Sequence, residues 1–406
     1  MRVLLLTDNF VPEINSPALR AYEHARRWVE AGVCVTVLTS IPNFPTGRPL
    51  PPYRNRPYQR ETLDGIDVVR VWTLLAPNRG VLRRSLDFLS FAVSGFMAGL
   101  FQQADVIVAT SPQLLTGLAG RCLSAAKRKP WIFEVRDLWP DSIVSVGVMQ
   151  DNLFIRILQR LEHHLYRRAT RVVAVSDGIR DRLVARGVPP DKIGVVPNGV
   201  DRRRIGAANG EQVREALELG DKFVAGYVGT HGMAQGLEVV VQAAATLQGG
   251  NVHFLLVGEG ARRGAVMARA RELNLDNITF IGLVPLNVAA DHLAACDTVL
   301  IPLKRTDQIE ITLPGKIFEA AAMGKPMIVS AEGASADLVQ HYGAGLVVPP
   351  ENPEALAAAV EMMRRDSELR ARMSRGALAL AQDFDRETLA MQMLEQIRMV
   401  CRPSPR

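Results

Sequence analysis

The chain has 406 residues, which is enough for two or three domains with substantial hydrophobic cores. Hydrophobic residues make up 48% and charged residues 22%, so a collagen-like, coiled-coil or disordered chain is excluded. The net charge of +6 is uneven: residues 1–198 carry 26 Lys and Arg against 17 Asp and Glu, whereas residues 199–406 carry 22 against 25. The basic N-terminal half predicts an anionic partner, and an anionic lipid surface fits better than nucleic acid, for which no recognition motif is found.

The first strand is predicted at 2–7, and its apolar run is too short for a signal peptide. Short apolar runs then alternate with amphipathic helical patterns along most of the chain. The other predicted strands are 33–39, 66–72, 104–109, 130–135, 171–175, 193–196, 223–228, 252–257, 277–281, 297–302, 326–330 and 345–348. Predicted helices include 17–31, 112–127, 151–168, 236–248, 260–273, 353–373 and 386–400. Strands that are rich in Val, Leu and Ile without polar alternation are typical of parallel sheets covered on both faces, so the pattern predicts doubly wound α/β domains.

The βα pattern restarts near residue 223, after a polar stretch. We therefore expect one domain over 1–198, a second over 199–384, and a C-terminal helix within 385–406 that packs back on the first. The active site is expected in the cleft between the two domains. The four cysteines lie far apart without a CxxC pair, so reduced thiols in a cytosolic protein fit better than disulfides or a structural zinc site.

Residues 79–101 differ in kind from the rest of the N-terminal half. Three arginines precede 16 residues whose single charge is Asp87. The segment is too short to span a bilayer, which needs about 20 apolar residues. A basic flank followed by Leu, Phe and Met predicts a helix that lies in the membrane interface, and a buried helix of the N-terminal domain is the alternative.

Nucleotide-binding fingerprints are weak in this chain. No GxGxxG follows the first strand, and no GxxxxGK[ST] phosphate loop is present. Gly258, Gly260 and Gly264 do follow a strand and open a helix. Their spacing favours a close strand–helix turn, and direct nucleotide contact remains the alternative.

The segment Ile311–Pro326 is the most informative. Pro314 near its start and Gly324 at its end predict a short helix, in which Lys316 and Glu319 share a face. A helix N-terminus binds phosphate through unpaired N–H groups. Lys316 would add a full charge there and Glu319 could accept two ribose hydroxyls, whereas a surface ion pair is the alternative.

Four blocks of the chain resemble the GT-B retaining glycosyltransferases of family 4. The blocks are Asn15–Leu38, Val175–Asp201, the pair of stretches Phe254–Gly260 and Ile278–Gly282, and Lys316–Pro326. The resemblance implies a GT-B fold of two Rossmann-like domains, with the acceptor bound by the first and the nucleotide sugar by the second. It also implies transfer with retention of configuration, no metal or other cofactor, and Glu319 at the nucleotide ribose.

Three departures from the family pattern change the expected donor site. Asn15 and Ser16 replace a Gly-Gly pair, Ile311 replaces a first Glu although Glu310 is adjacent, and the loop 229–236 lacks the usual Arg and Lys. The pyrophosphate is therefore expected on backbone N–H groups and Lys316, with His231, Lys304 or Arg305 as further contacts. The residues expected to bind the donor are Asn15, Ser16, Thr230, His231, Gly232, Gly258, Gly282, Gly315 and Glu319.

The same departures recur in one subgroup that the sequence resembles, the bacterial L-fucosamine (WbuB-like) transferases. The shared stretches are 6–13, 18–23, 109–113, 134–140, 229–234 and 314–319, with Gly315 where the subgroup usually has Ser. This resemblance implies transfer of N-acetyl-L-fucosamine or a related amino sugar from a UDP donor. The acceptor would be a lipid-pyrophosphate-linked saccharide in O-antigen or capsule synthesis.

Arg136 and Asp137 follow the strand 130–135, where ligands bind in such sheets. Asp137 could orient or deprotonate the acceptor hydroxyl and Arg136 could hold acceptor phosphate; a helix cap with a structural arginine is the alternative. Asn15 and Ser16 either cap the helix 17–31 or close over the donor phosphates. On that helix, Arg20 and Glu23 are expected on the solvated face. His163 and His164 are expected to be structural.

These observations predict a metal-independent, retaining, UDP-sugar-dependent glycosyltransferase, with Lys316, Asp137 and Arg136 as its catalytic residues. It is expected to be cytoplasmic and peripheral at the inner membrane face, with no nucleic acid partner. Two alternatives stay open: a UDP-N-acetylhexosamine 2-epimerase on the same fold, and a non-catalytic module that binds sugar nucleotide or lipid.

Overall fold

A computed structural model describes residues 1–44, 46–76, 81–142, 152–202 and 208–401. The chain divides into two compact units, the first formed by Met1–Pro197 with Arg386–Arg406 and the second by Asn198–Asp385. Each unit is built on a doubly wound sheet that is parallel apart from one edge strand of the first. The predicted fold class is confirmed.

The first unit contains an eight-stranded sheet in the order β3-β4-β2-β1-β5-β6-β7-β8. Its strands are β1 (Arg2–Leu6), β2 (Cys34–Ser40), β3 (Tyr58–Leu63), β4 (Ile66–Val71), β5 (Val106–Thr110), β6 (Trp131–Val135), β7 (Arg171–Ala174) and β8 (Ile193–Val195). The register aligns Leu4 with both Thr36 and Ile107, so β1 lies between β2 and β5. Val3, Leu5, Val37 and Val108 are buried in its core.

The edge strand β3 is absent from the sequence prediction. It pairs antiparallel with β4 through a two-residue turn, in which Asp64 and Gly65 both have positive φ, 49° and 77°. Its side chains are exposed or half-buried, so the hydrophobic run that marks the other strands is missing. The Asp-Gly pair was the available signal, because this dipeptide favours the type I′ hairpin turn.

Helices cover both faces of the first sheet. They are α1 (Ser16–Glu30), α2 (Val81–Leu100), α3 (Leu114–Lys127), α4 (Leu153–Arg168), α5 (Asp177–Ala185) and α15 (Arg386–Cys401). The connections through α2, α3, α4 and α5 all advance in one direction across the sheet, so right-handed crossovers place these four helices on one face. The C-terminal helix α15 packs against α1, and Trp28 Nε1 donates to the Ala390 carbonyl at 2.8 Å.

The second unit contains a six-stranded parallel sheet in the order β11-β10-β9-β12-β13-β14. Its strands are β9 (Phe223–Val228), β10 (Val252–Val257), β11 (Ile278–Ile281), β12 (Thr298–Pro302), β13 (Met327–Ser330) and β14 (Gly345–Val348). Its helices are α6 (Gly210–Ala216), α7 (Leu237–Thr246), α8 (Arg263–Glu272), α9 (Leu286–Ala294), α10 (Asp307–Glu310), α11 (Gly315–Ala322), α12 (Ala334–His341), α13 (Pro353–Arg365) and α14 (Ser367–Asp383).

The single helix predicted over 353–373 is wrong. The chain forms two helices, α13 and α14, which meet at Asp366. The Asp366 side chain accepts a hydrogen bond from the Leu369 N–H at 2.8 Å and so caps the second helix. Apolar periodicity continued across this cap, which is why the sequence pattern concealed the break.

Each sheet has one point at which the direction of winding reverses. It lies between β1 and β5 in the first unit and between β9 and β12 in the second. In open α/β sheets, ligands bind at the carboxyl ends of the strands beside this point. The residues after these four strands are therefore the first place to look for function in each unit.

Candidate functional site

Lys316 lies across the reversal point of the second sheet. It belongs to the first turn of α11, and its side chain passes over Gly229, which directly follows β9. A Cβ atom on Gly229 would stand 2.5 Å from the Lys316 amine, well inside van der Waals contact. The amine also lies 5.3 Å from the centre of the Tyr227 ring. The absence of a side chain at position 229 is therefore what lets Lys316 occupy this position.

The Lys316 side chain is half-buried and forms no ion pair with a described residue. Burial lowers the pKa of this amine, and the neighbouring Glu319 opposes the effect. In the part of the chain that the structure describes, the amine forms no ion pair or hydrogen bond, and Glu319 presents an exposed carboxylate. Removing a cation from water without an ion-pair partner costs free energy, so the arrangement suits an anionic ligand.

The N-terminus of α11 is open. Pro314 at the cap position offers no side-chain hydrogen bond, and the backbone N–H groups of Gly315 and Lys316 have no partner among the described residues. Free N–H groups at a helix N-terminus carry partial positive charge and bind phosphate. Gly315 and Lys316 therefore place two donors and one full charge at one end of α11.

The loop after β9 offers little backbone of its own. The N–H groups of Gly229 and His231 donate to the carbonyls of Val257 and Glu259, each at 2.8 Å, and the N–H of Gly232 donates to Gln235 Oε1 at 3.1 Å. The N–H of the exposed Thr230 has no partner among the described residues. The fold therefore already uses the N–H groups of Gly229, His231 and Gly232, and the expected backbone contacts to a pyrophosphate are left to Thr230 and the N-terminus of α11.

His231 is placed differently from the prediction. A loop histidine flanked by glycine was expected at the surface, yet this ring is 0% exposed and packs edge-on against Tyr227 at 5.6 Å. Within the described part of the chain neither ring nitrogen forms a hydrogen bond. Burial, together with Arg263, lowers the pKa of His231 to about 4, so the ring is neutral. In this structure the ring supports the loop from inside and offers no surface for direct contact with phosphate or sugar.

The glycines after β10 serve close packing. A Cβ atom on Gly258 would collide with the Gly229 carbonyl, and one on Gly260 would collide with the His231 carbonyl. Both residues have positive φ, 135° and 157°. Of the two interpretations of this glycine pattern, the structure favours the close strand–helix turn. Gly282, after β11, is half-buried, and a Cβ atom there would lie 3.4 Å from Glu259 Oε1.

Other cations near this reversal point are mostly paired. Arg305 pairs with Glu332 at 2.6 Å and Arg262 with Glu238 at 2.8 Å. Lys304, which is half-buried after β12, forms no ion pair with a described residue. Sequence reasoning overlooked Arg263, which opens α8, lies 3.4 Å from Glu259 and influences His231. Its position after the Gly258–Gly260 turn was the available signal.

Arg136 and Asp137 follow β6 in the first unit, and both are half-buried. Their backbone N–H groups donate to Ser111 Oγ at 2.8 and 3.4 Å, which ties them to the end of β5. Burial lowers the pKa of Arg136 to about 10, with Glu134 opposing and Arg20 adding to the effect. The enclosed cavity beside Arg136 has a volume of about 10 Å³, which is room for about one water molecule.

Arg20 and Glu23 were expected on a solvated face, and this is wrong. Arg20 is 1% exposed and donates to Glu134 at 3.0 Å and to the carbonyls of Val196 and Pro197 at 2.9 and 2.6 Å. Glu23 is buried and pairs with Arg386 at 2.7 Å. Arg20 is buried because it binds the end of β6 and the chain after β8, whereas Glu23 is covered by Arg386 at the start of α15.

Asn15 caps α1. Its side chain accepts a hydrogen bond from the Ala18 N–H at 2.9 Å, and Ser16 follows as an exposed first helical residue. The capping alternative is therefore observed for Asn15. His163 and His164 lie on α4 and line an open basic pocket with three arginines of the same helix.

A cluster of buried acids at the reversal point of the first sheet was not predicted. Asp8 follows β1, Glu13 precedes α1 and Asp87 lies on the inner face of α2. Burial raises the pKa of Asp8 well above its usual range, and the nearby charges of Asp87 and Glu13 add to this effect. Burial also raises the pKa of Asp87 to about 7. Gln113 donates to Asp8 Oδ2 at 3.1 Å. Among the described residues, no group of His, Cys, Asp or Glu is arranged to hold a metal ion.

Two family models match the chain. The "Glycosyl transferase 4-like domain" matches residues 17–199 and "Glycosyl transferases group 1" matches residues 222–366. WcaI of Escherichia coli strain K12, whose name assigns it to colanic acid biosynthesis as a glycosyl transferase, is 25% identical over 89% of this chain and 91% of its own.

Solved structures share the fold over nearly the whole chain. Sucrose-phosphate synthase from Thermosynechococcus elongatus has a TM-score of 0.78 at 20% identity and covers 98% of this chain and 99% of its own. Anabaena Alr3699/HepE, solved in complex with UDP, has a TM-score of 0.71 at 19% identity over 98% of this chain and 100% of its own.

Proposed function

The chain belongs to the glycosyltransferases of GT-B fold, and on that premise we propose that it transfers a sugar from a UDP-linked donor to a saccharide acceptor of bacterial surface polysaccharide synthesis. The observation that carries the donor assignment is the Lys316 amine, held without a counter-ion over Gly229 beside the open N-terminus of α11. A diphosphate supplies the negative charge that this arrangement lacks. HepE, which shares the fold, is solved with UDP.

Negative charge grows on the leaving diphosphate as the glycosidic bond to the donor breaks. Fixed donors that point at this charge stabilise the transition state more than the ground state. In the proposed site Lys316 supplies the full positive charge, and the N–H groups of Gly315 and Lys316 supply the partial positive charge of the helix N-terminus. The exposed Glu319 accepts hydrogen bonds from the ribose hydroxyls. Because these groups meet the charge of the leaving diphosphate, we propose that transfer needs no metal ion.

The acceptor side is proposed in the first unit. Asp137 would orient the acceptor hydroxyl and Arg136 would hold its phosphate, since both follow β6 at the carboxyl edge of the sheet. Asn15 and Ser16 would contact the donor phosphates in addition to the observed cap. Retention of configuration is proposed from the family resemblance.

The amino-sugar donor is the finer part of the proposal. Six stretches resemble the L-fucosamine transferases, which supports N-acetyl-L-fucosamine or a related sugar and a lipid-pyrophosphate-linked acceptor. The similarity to WcaI, named for a surface polysaccharide, supports the same class of product. Competition among UDP-sugars in a transfer assay with a lipid-linked acceptor tests this part alone.

We propose that α2 docks the enzyme on the inner membrane face. Phe91 and Asp87 are buried on the inner side of this helix, as the alternative of a buried helix expects. An outer stripe of large apolar residues is exposed, which supports the proposed docking. The stripe consists of Leu86, Leu89, Val93, Met97 and Phe101. Residues 79 and 80 of the predicted segment lie outside the described residues. No helix in the described part of the chain is long and apolar enough to cross a membrane.

The donor proposal is tested by thermal unfolding with UDP, GDP or ADP in the presence of EDTA. A ligand that binds the folded state alone raises the melting temperature by mass action. We expect a shift with UDP that survives EDTA and is lost in Glu319→Ala. Glu354→Ala, which removes another exposed helical glutamate of the second unit, is the matched control and should keep the shift.

Turnover then separates the remaining activities. UDP-sugar with acceptor should give the glycosylated product, whereas UDP-sugar alone should stay unchanged. Formation of an epimer without acceptor would show the alternative enzyme. If UDP did not shift the melting temperature of the wild-type protein, the proposed donor site would be wrong.

A further inference from the structure

The outer face of α4 changes character along its length. Leu153, Phe154 and Ile157, in its first two turns, are 74%, 49% and 52% exposed. Arg160, His164, Arg167 and Arg168 follow on the same side and are exposed as well. The opposite side of the helix is buried and fixes this orientation through Ile155, Leu165 and Tyr166.

The basic part of this face carries no balancing charge. Glu162 is the one acid of α4, and it is buried, where Arg186 binds it at 3.1 Å and Tyr166 also donates to it. Arg160, Arg167 and Arg168 form no ion pair with any residue that the structure describes. With His163 and His164 they line an open pocket of about 550 Å³. Guanidinium groups grouped in this way suit phosphate, which they bind through paired N–H donors.

The apolar and basic parts together indicate one kind of partner. A polyanion such as nucleic acid would use the arginines and leave Leu153, Phe154 and Ile157 in water. A bilayer uses both, because its acyl boundary accepts apolar side chains while its headgroups carry phosphate. The exposed stripe of α2 lies on the same face of the first unit, with α3 between the two helices, and packed helices stand about 8–10 Å apart. Two apolar elements roughly 20 Å apart fit a broad surface.

We propose that α4 is a second lipid-docking element, whose first two turns enter the acyl boundary of an anionic bilayer while Arg160, Arg167 and Arg168 bind lipid phosphates. The inference extends the docking proposed for α2 but depends on different residues, so either can fail alone. Because charge and apolar area are separated along α4, the helix would lie inclined, with Leu153 deeper than Arg168.

Co-sedimentation of the full-length protein with vesicles tests the charge contribution. The vesicles contain phosphatidylcholine alone or mixed with phosphatidylglycerol. Arg160→Gln/Arg167→Gln/Arg168→Gln should weaken partitioning to the anionic vesicles by on the order of 100-fold, since each cation at such a surface contributes about fivefold. Arg372→Gln/Arg375→Gln, on exposed positions of α14, is the control and should bind as the wild type does.

The apolar contribution needs its own variant. Phe154→Ser/Ile157→Ser should weaken binding to both kinds of vesicle by on the order of tenfold, whereas Met362→Ser, which removes an equally exposed side chain from α13, should not. Wild-type partitioning in both α4 variants would overturn the proposal. In Phe154→Trp, anionic vesicles should shift the added fluorescence to the blue, and an unshifted spectrum would count against insertion.

Soluble phosphate is the other source of the same ligand chemistry. Inorganic phosphate and glycerol phosphate are therefore added to the wild-type protein and to the triple arginine variant. A thermal shift that depends on the three arginines, together with unchanged vesicle binding, would assign the pocket to a soluble phosphate and overturn lipid docking. All α4 variants should keep the UDP-dependent shift, which separates this test from that of the donor site.

Discussion

The two sheets of this protein wind in the same way but carry opposite chemistry at their reversal points. In the second unit, Lys316 and the open end of α11 bring positive charge to a loop of glycines. In the first unit, Asp8, Glu13 and Asp87 bring buried carboxyl groups to the equivalent strand ends. The helix ends differ as well, because Asn15 caps α1 whereas no side chain caps α11.

This difference shows how one architecture can serve two ligands. The doubly wound sheet determines where a ligand binds, whereas the side chains after its strands determine which charge is accepted. The second unit is suited to an anion such as a diphosphate. The buried acids at the reversal point of the first unit suit neutral hydroxyl groups, which donate hydrogen bonds to carboxyl groups and accept them from amide N–H groups.

The largest expected effect comes from removing the cation. Lys316→Ala should lower kcat by about 10²- to 10³-fold, since it deletes the full charge that faces the leaving diphosphate. Lys316→Met, which keeps the length of the side chain, should lose as much. Initial rates with saturating acceptor measure the effect, and near wild-type turnover in Lys316→Met would contradict the assigned role.

Gly229→Ala tests the same cation without altering it. The added Cβ would stand 2.5 Å from the Lys316 amine and displace it, so UDP affinity should fall by roughly 10- to 100-fold. Gly249→Ala is the control, because this glycine also has positive φ but no atom lies within 4 Å of an added Cβ. Calorimetric titration with UDP compares the two, and equal affinities would show that the amine has no fixed position.

Asp87→Asn tests the acidic reversal point through its pH dependence. Burial raises the pKa of Asp87 to about 7, so the folded state takes up a proton that the unfolded chain releases near pH 4. The contribution of this group to stability is complete below pH 4 and is lost as the pH rises through about 7, with an upper bound of about 4 kcal/mol. Because Asn still buries an amide, Asp87→Asn should raise the free energy of unfolding at pH 8 by roughly half of that upper bound, and at pH 4 by little. Urea unfolding at the two values measures it, and equal gains would exclude the titration.

Asn15→Ala separates the two roles of the capped helix end. Loss of the hydrogen bond to the Ala18 N–H should lower the free energy of unfolding by about 1 kcal/mol. If capping is its whole contribution, UDP affinity and turnover stay unchanged. A fall in UDP affinity or turnover would support the proposed contact between Asn15 and the donor phosphates as a second role. Urea unfolding measures the loss of stability, and steady-state kinetics measures the loss of turnover.

Much of the fold could be predicted because hydrophobic periodicity is a local property. The buried strands β5 and β12 are continuous apolar runs, so their place in the chain was readable. The strand β3 was missed because it lies at an edge with polar side chains, and the break at Asp366 was missed because a cap interrupts the backbone without interrupting the apolar pattern.

The candidate site was predictable in its residue types and less so in its geometry. Lys316 and Glu319 were found because their helix has local start and stop signals. The contact between Lys316 and Gly229 joins positions that are distant in the sequence, and no local pattern encodes it. The predictions for Arg20 and His231 were wrong for the same reason, since residues distant in the sequence bury them. Arg20 binds the end of β6 and the chain after β8, and the loop after β10 closes over His231.

The spacing of Lys316 and Glu319 has a consequence for which donors can be used. Three residues on one helix rise by about 4.5 Å along its axis, so the two side chains leave neighbouring positions on one face of α11. In the proposed site, both side chains are used only by a ligand that offers a ribose to Glu319 and a second phosphate to Lys316. If the proposed site is correct, UMP would bring its ribose to the carboxylate without offering the amine a second phosphate, so we expect UMP to bind more weakly than UDP.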